Sequence, residues 1–181
     1  MESKEMQILE AAEKMVREGG YNAFSFREIA KTVGIKSSSV HYHFPTKADL
    51  GAAVAAYYTD KFLNYLGDPE SIFQENKDPV DIYIQAFRDA LVTDKRICLC
   101  GMLGAEVDGL PEEVSAQTKI FFERNIKWLT AAYTLKGAGK DSKARAIQAI
   151  SILEGAMISS NVMGDTSIFD QATALIREKS S

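Results

Sequence analysis

Residues 24–47, with the sequence FSFREIAKTVGIKSSSVHYHFPTK, decide the fold of the N-terminal part of this chain. Ser25 and Glu28 have the spacing of a capping box, in which a hydroxyl and a carboxylate satisfy free amides in the first turn of a helix. A helix is therefore predicted to begin after Ser25. It is predicted to end at Gly34, because glycine readily adopts the left-handed conformation of a tight turn. A second short helix over 37–43 completes a helix-turn-helix.

The second helix of this motif is predicted to carry an exposed polar and aromatic surface. Apolar side chains are expected to fix the angle between the two helices: Val33, Ile35, Val40 and Phe44. The side chains expected at the surface are Ser37, Ser38, His41, Tyr42 and His43. The spacing alone leaves an alternative open, in which the motif is a plain helical hairpin with capping serines and half-buried rings.

The chain has 181 residues and a mass of 20.0 kDa, with 46% hydrophobic and 25% charged residues. This is the composition of a folded globular protein and excludes a disordered or fibrous chain. The formal net charge of −4 argues against a protein that coats nucleic acid with its whole surface. Residues 21–50 nevertheless carry a net charge of +2, which leaves −6 for the remainder. A small basic patch on an acidic body is compatible with DNA binding at one end.

Nearly the whole chain has helical periodicity, so about nine helices and no convincing strand are predicted. The predicted fold class is all-α, with an N-terminal three-helix head that contains the helix-turn-helix and a C-terminal helical domain. No uninterrupted apolar run reaches the ~18–20 residues that cross a bilayer. The N-terminus also lacks the cationic and apolar segments of a secretory signal. A cytoplasmic protein without a membrane partner is expected.

The sequence contains no pattern for a cofactor or a metal ion. His41 and His43, the two histidines, are two residues apart, so on a helix they point about 200° away from each other. There is no glycine-rich phosphate loop, no HExxH or GxSxG motif and no pair of CxxC motifs. Neither a cofactor nor a metal is therefore expected.

The N-terminal segment resembles the DNA-binding domain of TetR-family transcriptional regulators. The resemblance covers roughly residues 5–50 and rests on FREIA at 26–30, VGI at 33–35, SVHYHF at 39–44 and KADL at 47–50. Two features depart from the commoner family pattern. HYH at 41–43 stands where many members have Tyr-His-Tyr, and three serines at 37–39 replace a sequence such as Lys-Gly-Ser. The operator sequence therefore cannot be transferred from a relative.

The resemblance implies a homodimeric repressor that leaves a pseudo-palindromic double-stranded DNA operator when a small-molecule effector binds. It implies a DNA-binding domain over 1–50, a connecting helix over 46–66, and an effector-binding and dimerisation domain over 67–181. Base contacts are implied for Ser37, Ser38 and His41, and Ser39 belongs to the same serine run. Phosphate contacts are implied for Arg27, Tyr42, His43 and Lys47.

The helix predicted over 141–163 is apolar nearly all the way round, which indicates burial on two sides. The second cover is expected to be a partner chain, because a protein of this size has few layers of its own. The last helix would join it in a four-helix bundle across a two-fold axis. The expected dimer contacts are Ile150, Leu153, Met157, Phe169, Leu175 and Ile176. A central helix in a monomeric core is the alternative.

Aromatic and sulfur-containing residues are concentrated in the middle helices and are compatible with a pocket for an apolar or aromatic effector. The candidates are Tyr83, Phe87, Cys98, Met102, Phe121, Trp128 and Met157. Plain core packing is the alternative for each of them. Glu154 lies in an apolar run. Three roles are open for it: a polar group at the bottom of the pocket, a dimer contact, or a solvent-exposed position.

Cys98 and Cys100 lie at the predicted start of a helix, where exposed amides lower the pKa of a thiol. The surrounding sequence is similar to a TetR subgroup in which some members respond to electrophiles or oxidants. Buried, unreactive packing is the alternative. A rival function is a small helical enzyme with a cysteine nucleophile, but His41 and His43 are 55–59 positions away in the helix-turn-helix. We expect no enzymatic activity.

Overall fold

The computed structural model describes residues 3–177, which form ten α-helices and no strand. The helices are α1 (Lys4–Gly19), α2 (Phe26–Val33), α3 (Ser37–His43), α4 (Lys47–Leu66), α5 (Pro69–Gln74), α6 (Pro79–Val92), α7 (Leu99–Ala105), α8 (Glu112–Leu135), α9 (Ser142–Met163) and α10 (Ser167–Arg177). Short 3-10 turns occur at Tyr21–Ala23, Val107–Gly109 and Gly139–Asp141. The predicted all-α fold class is confirmed.

One of the ten helices, α5, is short and begins three residues after the end of α4. Pro69 occupies its first turn, where a missing amide hydrogen costs nothing. The Asp68 carboxylate accepts a hydrogen bond from the Ser71 amide at 2.9 Å and caps the helix. A proline and an aspartate that end one helix here begin the next one.

The chain divides into two compact units. The first unit comprises Met1–Lys61 and Leu99–Phe121, and the second comprises Phe62–Cys98 and Phe122–Ser181. The segment Leu99–Phe121 therefore groups with the N-terminal residues rather than with the rest of the C-terminal part. The assignment of functions to domains 1–50 and 67–181 stays a proposal.

The first unit has a core built from the apolar faces of its helices. Ile8 and Ala12 on α1, Ile29 on α2, Val40 on α3 and Leu50 on α4 have no exposed surface. Two of these helices, α2 and α3, are short, and short helices are unstable alone, so this shared core holds them in place. The core positions α3 so that its opposite face is at the surface.

The second unit is organised around α9, which packs against α6 and α10. Leu153 of α9 and Phe169 of α10 are completely buried. Arg88 of α6 donates two hydrogen bonds to the Asp170 carboxylate of α10, at 2.7 and 3.0 Å. The apolar contacts hold these helices together, and the bidentate pair adds geometric specificity to the contact of α6 with α10.

This packing buries five of the six predicted dimer contacts within a single chain. Ile150, Leu153, Met157, Phe169 and Ile176 are at most 8% exposed within a single chain, so they have almost no surface left for a partner. Only Leu175, which is 73% exposed, lies at the surface. The five residues face inward because α9 and α10 bury them against each other and against α6.

The segment Gly139–Met163, which contains α9, is long and apolar enough to cross a membrane by length and composition alone. Averaged over 18 residues, Gly139–Met163 has a mean hydropathy of 1.2, although its uninterrupted apolar runs are short. The core helix of a soluble protein can have the same length and hydropathy. One face of α9 is buried against other helices of the second unit, as expected for such a core helix.

Candidate functional site

The helix-turn-helix is closed by the local contacts that its sequence predicts. The Ser25 hydroxyl accepts a hydrogen bond from the Glu28 amide at 3.3 Å and donates one to the Glu28 carboxylate at 2.7 Å. At the other end of α2, Gly34 has a left-handed conformation with a φ of 72°. The Ile35 amide then donates to the Ala30 carbonyl at 2.9 Å. These contacts set the turn from which α3 begins.

The outer face of α3 is accessible. Tyr42 is 85% exposed, Ser38 and His41 are exposed, and Ser37, Ser39 and His43 are half-buried. Arg27, on α2, is also exposed. The structure therefore brings the predicted DNA-contacting residues of α2 and α3 onto the surface of one small unit.

His41 is held in place by its neighbours. Its ring packs edge-on against the Phe26 ring, with centroids 4.4 Å apart. Its Nδ1 atom lies 3.4 Å from the Pro45 carbonyl oxygen. A ring that is positioned before it meets a ligand loses less conformational entropy on binding.

Lys47 lies in a setting that sequence reasoning missed. Its Nζ atom is 4.8 Å from the ring centroid of Tyr21 and 4.6 Å from that of Phe24. Burial lowers the pKa of Lys47, and the nearby Glu28 carboxylate partly opposes this shift. The sequence shows that Tyr21 and Phe24 lie about 25 positions before Lys47. It does not show that the fold places their rings beneath the ammonium group.

The N-terminus of α4, where Lys47 begins the helix, has its own reciprocal cap. The Asp49 amide donates to the Thr46 hydroxyl oxygen at 3.0 Å. The Asp49 carboxylate accepts hydrogen bonds from the Thr46 amide at 3.0 Å and from the Thr46 hydroxyl at 2.7 Å. This capping box fixes the backbone from which Lys47 projects.

A long-range contact, also missed from the sequence, joins the residue after α7 to the segment after α1. The Glu106 carboxylate accepts a hydrogen bond from the Tyr21 amide at 2.9 Å. Gly20 has a φ of 80°, and a Cβ atom there would lie 2.1 Å from Glu106 Oε1. The conformation favours glycine here, and a side chain would displace the Glu106 carboxylate from the Tyr21 amide.

The second unit contains a cluster of four rings, Phe62, Tyr83, Phe87 and Trp128, here called the aromatic cluster. The Tyr83 ring has its centroid 5.4 Å from those of Phe87 and Trp128 and 5.5 Å from that of Phe62. The Tyr83 hydroxyl donates to Asn125 Oδ1 at 2.7 Å, and the Trp128 indole donates to the Gly67 carbonyl at 2.8 Å. Three of these rings were predicted from the sequence, whereas Phe62 was missed.

The other predicted pocket residues are distributed between the units. Cys98 and Met157 are buried in the second unit. Met102 and Phe121 belong to the first unit, where the Phe121 ring packs on Tyr58 with a centroid distance of 5.9 Å. The assignment of all seven residues to one pocket remains a proposal.

An open groove follows α8 in the second unit. Its two adjoining parts have volumes of about 770 and 560 Å³ and share Asp68, Pro69, Lys127 and Ala131. Trp128 is the one predicted pocket residue that lines it. The groove is lined by both acidic and basic side chains, so its charge selects no obvious class of ligand.

Glu154 and Cys98 form a buried polar pair in the second unit. Burial raises the pKa of Glu154 from its usual 4.5 to about 7, and a hydrogen bond from the Cys98 thiol partly opposes the shift. Cys98 and Cys100 are 2% and 0% exposed, and neither forms a disulfide. Across residues 3–177, no three His, Cys, Asp or Glu side chains are grouped so that they could hold a metal ion.

The chain is all-helical, and the second helix of its capped helix-turn-helix, α3, is exposed. These features define the class of DNA-binding transcriptional regulators. Residues 8–54 match the family model of bacterial regulatory proteins of the tetR family. Over 61 residues, the chain is 39% identical to the uncharacterized HTH-type transcriptional regulator YuxN of Bacillus subtilis (strain 168). That match spans 34% of this chain and 21% of the length of YuxN.

Two solved structures are similar over nearly the whole chain. A TetR transcriptional regulator from Legionella pneumophila is 32% identical, with a TM-score of 0.86 over 97% of this chain and 96% of that one. A TetR-family transcriptional regulator from Agrobacterium tumefaciens is 26% identical, with a TM-score of 0.82 over 98% of both chains. The chain belongs to the TetR family of transcriptional regulators.

Proposed function

We propose that this protein is a homodimeric repressor that binds a pseudo-palindromic DNA operator through α3 and leaves it when a small molecule binds. The observation that carries the proposal is the accessible polar and aromatic face of α3 on a rigid three-helix core. A helix of this kind fits the major groove, where base edges can be read. A cytoplasmic location accompanies this function.

The proposed DNA contacts fall into two groups. Ser37, Ser38, Ser39 and His41 contact base edges, and Arg27, Tyr42, His43 and Lys47 contact phosphates. A serine hydroxyl both donates and accepts, so it discriminates poorly between bases. DNA shape therefore contributes to recognition together with direct contacts.

The dimer is proposed to form on the outward faces of α9 and α10. Large apolar side chains are exposed there: Ile147, Ile158, Val162, Met163 and Leu175. Their exposed fractions lie between 42% and 76%, and burying such a surface stabilises association. A two-fold symmetric dimer would match an operator whose half-sites lie about 34 Å apart.

The effector is proposed to bind in the region 67–181, at or near the aromatic cluster. An effector with higher affinity for a conformation that does not fit the operator lowers the affinity for DNA by that difference. The rival enzyme with a cysteine nucleophile has little support, because Cys98 and Cys100 are buried. We propose a regulator that has no enzymatic activity and needs no cofactor.

The test is selection of bound duplexes from a random pool, followed by fluorescence anisotropy with the selected site. The wild type should enrich a pseudo-palindrome whose half-site centres are about 10 base pairs or a multiple apart. Tyr42→Ala should weaken binding. Tyr65→Ala, which removes another exposed ring outside the helix-turn-helix, should leave it unchanged. Enrichment of no common sequence would refute the proposal.

A further inference from the structure

Glu154 is the one carboxylate of α9, and its side chain is half-buried in the second unit. Its Oε1 atom has no accessible surface and no hydrogen-bond partner among the described residues. The carboxyl group accepts a hydrogen bond from the Cys98 thiol, which is a weak donor. A buried polar atom without a partner is rare and requires an explanation.

The carboxyl group is poorly stabilised in its ionised form. Burial is the main cause of its raised pKa, so near neutral pH the ionised and protonated forms are both populated. Cys98 hydrogen-bonds to the carboxyl group, and the charge of the carboxylate in turn raises the pKa of Tyr83. The Tyr83 hydroxyl already donates to Asn125 and does not satisfy Glu154. A further donor would therefore stabilise the charge.

One aromatic ring, that of Tyr83, lies within electrostatic reach of this group. Tyr83, whose own pKa is raised first by burial and then by the Glu154 charge, is the central ring of the aromatic cluster. Ring faces attract organic cations, and a carboxylate supplies the opposite charge. The two features together are the chemical environment that recognises an ammonium group attached to an apolar body.

We propose that Glu154 is the recognition carboxylate for the effector and that the effector is an apolar or aromatic organic cation. This inference rests on the proposed function of the region 67–181. A cation compensates the cost of burying the charge, whereas a neutral hydroxyl supplies a hydrogen bond alone. An anion is repelled by the ionised carboxylate.

Chain connectivity gives this site a route to the DNA-binding part. Cys98, which hydrogen-bonds to Glu154, directly precedes Leu99, the first residue of α7. The segment that starts with α7 then leads to Glu106, which holds the Tyr21 amide in front of the helix-turn-helix. A bound cation would pair with the Glu154 carboxylate in place of the Cys98 thiol. Cys98, the residue before α7, would then lose its hydrogen bond to Glu154.

The test uses three probes that share a phenyl ring and differ in the head group: 2-phenylethylamine, 2-phenylethanol and 3-phenylpropionate. Trp128 is the only tryptophan of the chain and belongs to the aromatic cluster, so its fluorescence reports binding there. The amine should bind roughly tenfold more tightly than the alcohol, as expected for one charged contact. The propionate should bind most weakly.

The preference for the amine must depend on Glu154. Glu154→Gln keeps the shape but removes the charge, and it should abolish the preference. Glu154→Met is an apolar replacement of similar volume that preserves the fold if the glutamine variant does not. Glu112→Gln, at an exposed position at the start of α8, is the matched control and should retain the wild-type preference.

Absence of amine binding to the wild type at about 1 mM, a weak affinity, overturns the inference. An unchanged preference for the amine in both Glu154 variants overturns it as well. The DNA selection distinguishes this failure from failure of the proposed function. A protein that selects a palindromic operator but shows no Glu154-dependent amine preference is a regulator with an effector of another class.

Discussion

The Glu106 carboxylate and the Tyr21 backbone amide, 85 positions apart in the chain, are joined by a hydrogen bond of 2.9 Å. The contact ties the residue after α7 to the turn that precedes the helix-turn-helix. Gly20 makes room for it, because any Cβ atom at that position would overlap the carboxylate. The turn that precedes the DNA-binding motif is therefore fixed by a residue from the middle of the chain.

Gly20→Ala should destabilise the protein by more than a left-handed conformation alone explains. Gly67→Ala is the matched control, because Gly67 has a φ of 78° but no atom within 4 Å of an added Cβ. The control should cost about 1 kcal/mol, and leaving the Tyr21 amide without the displaced Glu106 carboxylate should add about 1–3 kcal/mol. Urea unfolding followed by circular dichroism measures both values. An equal decrease in the free energy of unfolding for both variants would show that the Glu106 carboxylate can move away at no cost.

Lys47→Ala should weaken binding to every DNA sequence and reduce the slope of log K against log salt by about one unit, because one phosphate contact is lost. Lys140→Ala, at an exposed lysine in the turn Gly139–Asp141, serves as a control and should leave the slope unchanged. Anisotropy titrations over a range of salt concentrations measure the slopes. Identical slopes for wild type and Lys47→Ala would remove Lys47 from the interface.

Ser38→Ala should behave differently from Lys47→Ala, because a contact to a base edge affects only certain sequences. Its affinity should fall for the selected operator and change little for unrelated DNA. Competition with operators mutated at single base pairs identifies the position that has lost discrimination. A uniform loss over all sequences would assign Ser38 to the phosphate backbone instead.

Val162→Asp and Leu175→Asp should produce folded monomers. Both side chains are more than 70% exposed in one chain, so a charge there costs little until a partner covers it. Leu153→Asp should instead unfold the chain, because Leu153 is completely buried. Val92→Asp, at a 41% exposed position on α6, should remain dimeric. Light scattering combined with circular dichroism separates these outcomes, and a monomeric wild type would contradict the proposed dimer.

Glu154 should make the folded state less stable as the pH rises from about 4.5 to about 7. The folded-state pKa is about 7 and lies above the usual value of 4.5, so the folded state retains a proton that the unfolded state has lost. Stability then falls by up to about 1.4 kcal/mol per pH unit within this window and levels off above it. The difference in Tm between wild type and Glu154→Gln should follow this course, and a constant difference would contradict the burial argument.

Cys98 and Cys100 should react slowly with a maleimide while the protein is folded, since both are almost completely buried. Urea should expose both thiols to rapid modification, which mass spectrometry of quenched samples can follow. Cys98→Ala should also raise the pKa of Glu154 further, because it removes the thiol hydrogen bond that lowers this pKa. Rapid labelling of either cysteine in the folded protein would show that its site opens frequently.

The helix-turn-helix could be predicted from the sequence because its determinants are local. The cap formed by Ser25 and Glu28, the left-handed Gly34 and the cap formed by Thr46 and Asp49 each act within four residues along the chain. Local hydrogen bonds and backbone preferences depend little on distant residues, so they survive in the folded protein as the sequence indicates.

The buried face of α9 could not be predicted in this way. Its sequence is apolar nearly all around the helix, so periodicity does not indicate which side packs inward. Contact with α6 and α10 made Ile150 and Leu153 core residues and left Ile147 and Ile158 at the surface. For this reason five of the six expected dimer contacts are buried within one chain, whereas Leu175 is exposed.

Local sequence therefore determined the helices, their caps and the DNA-binding motif. Only the tertiary structure decided what meets across long separations: Glu106 with Tyr21, Lys47 over the rings of Tyr21 and Phe24, and Glu154 with Cys98. The physical reason is that helix formation is encoded over a few neighbouring residues. The partner of a side chain depends on how the faces of different helices are buried together.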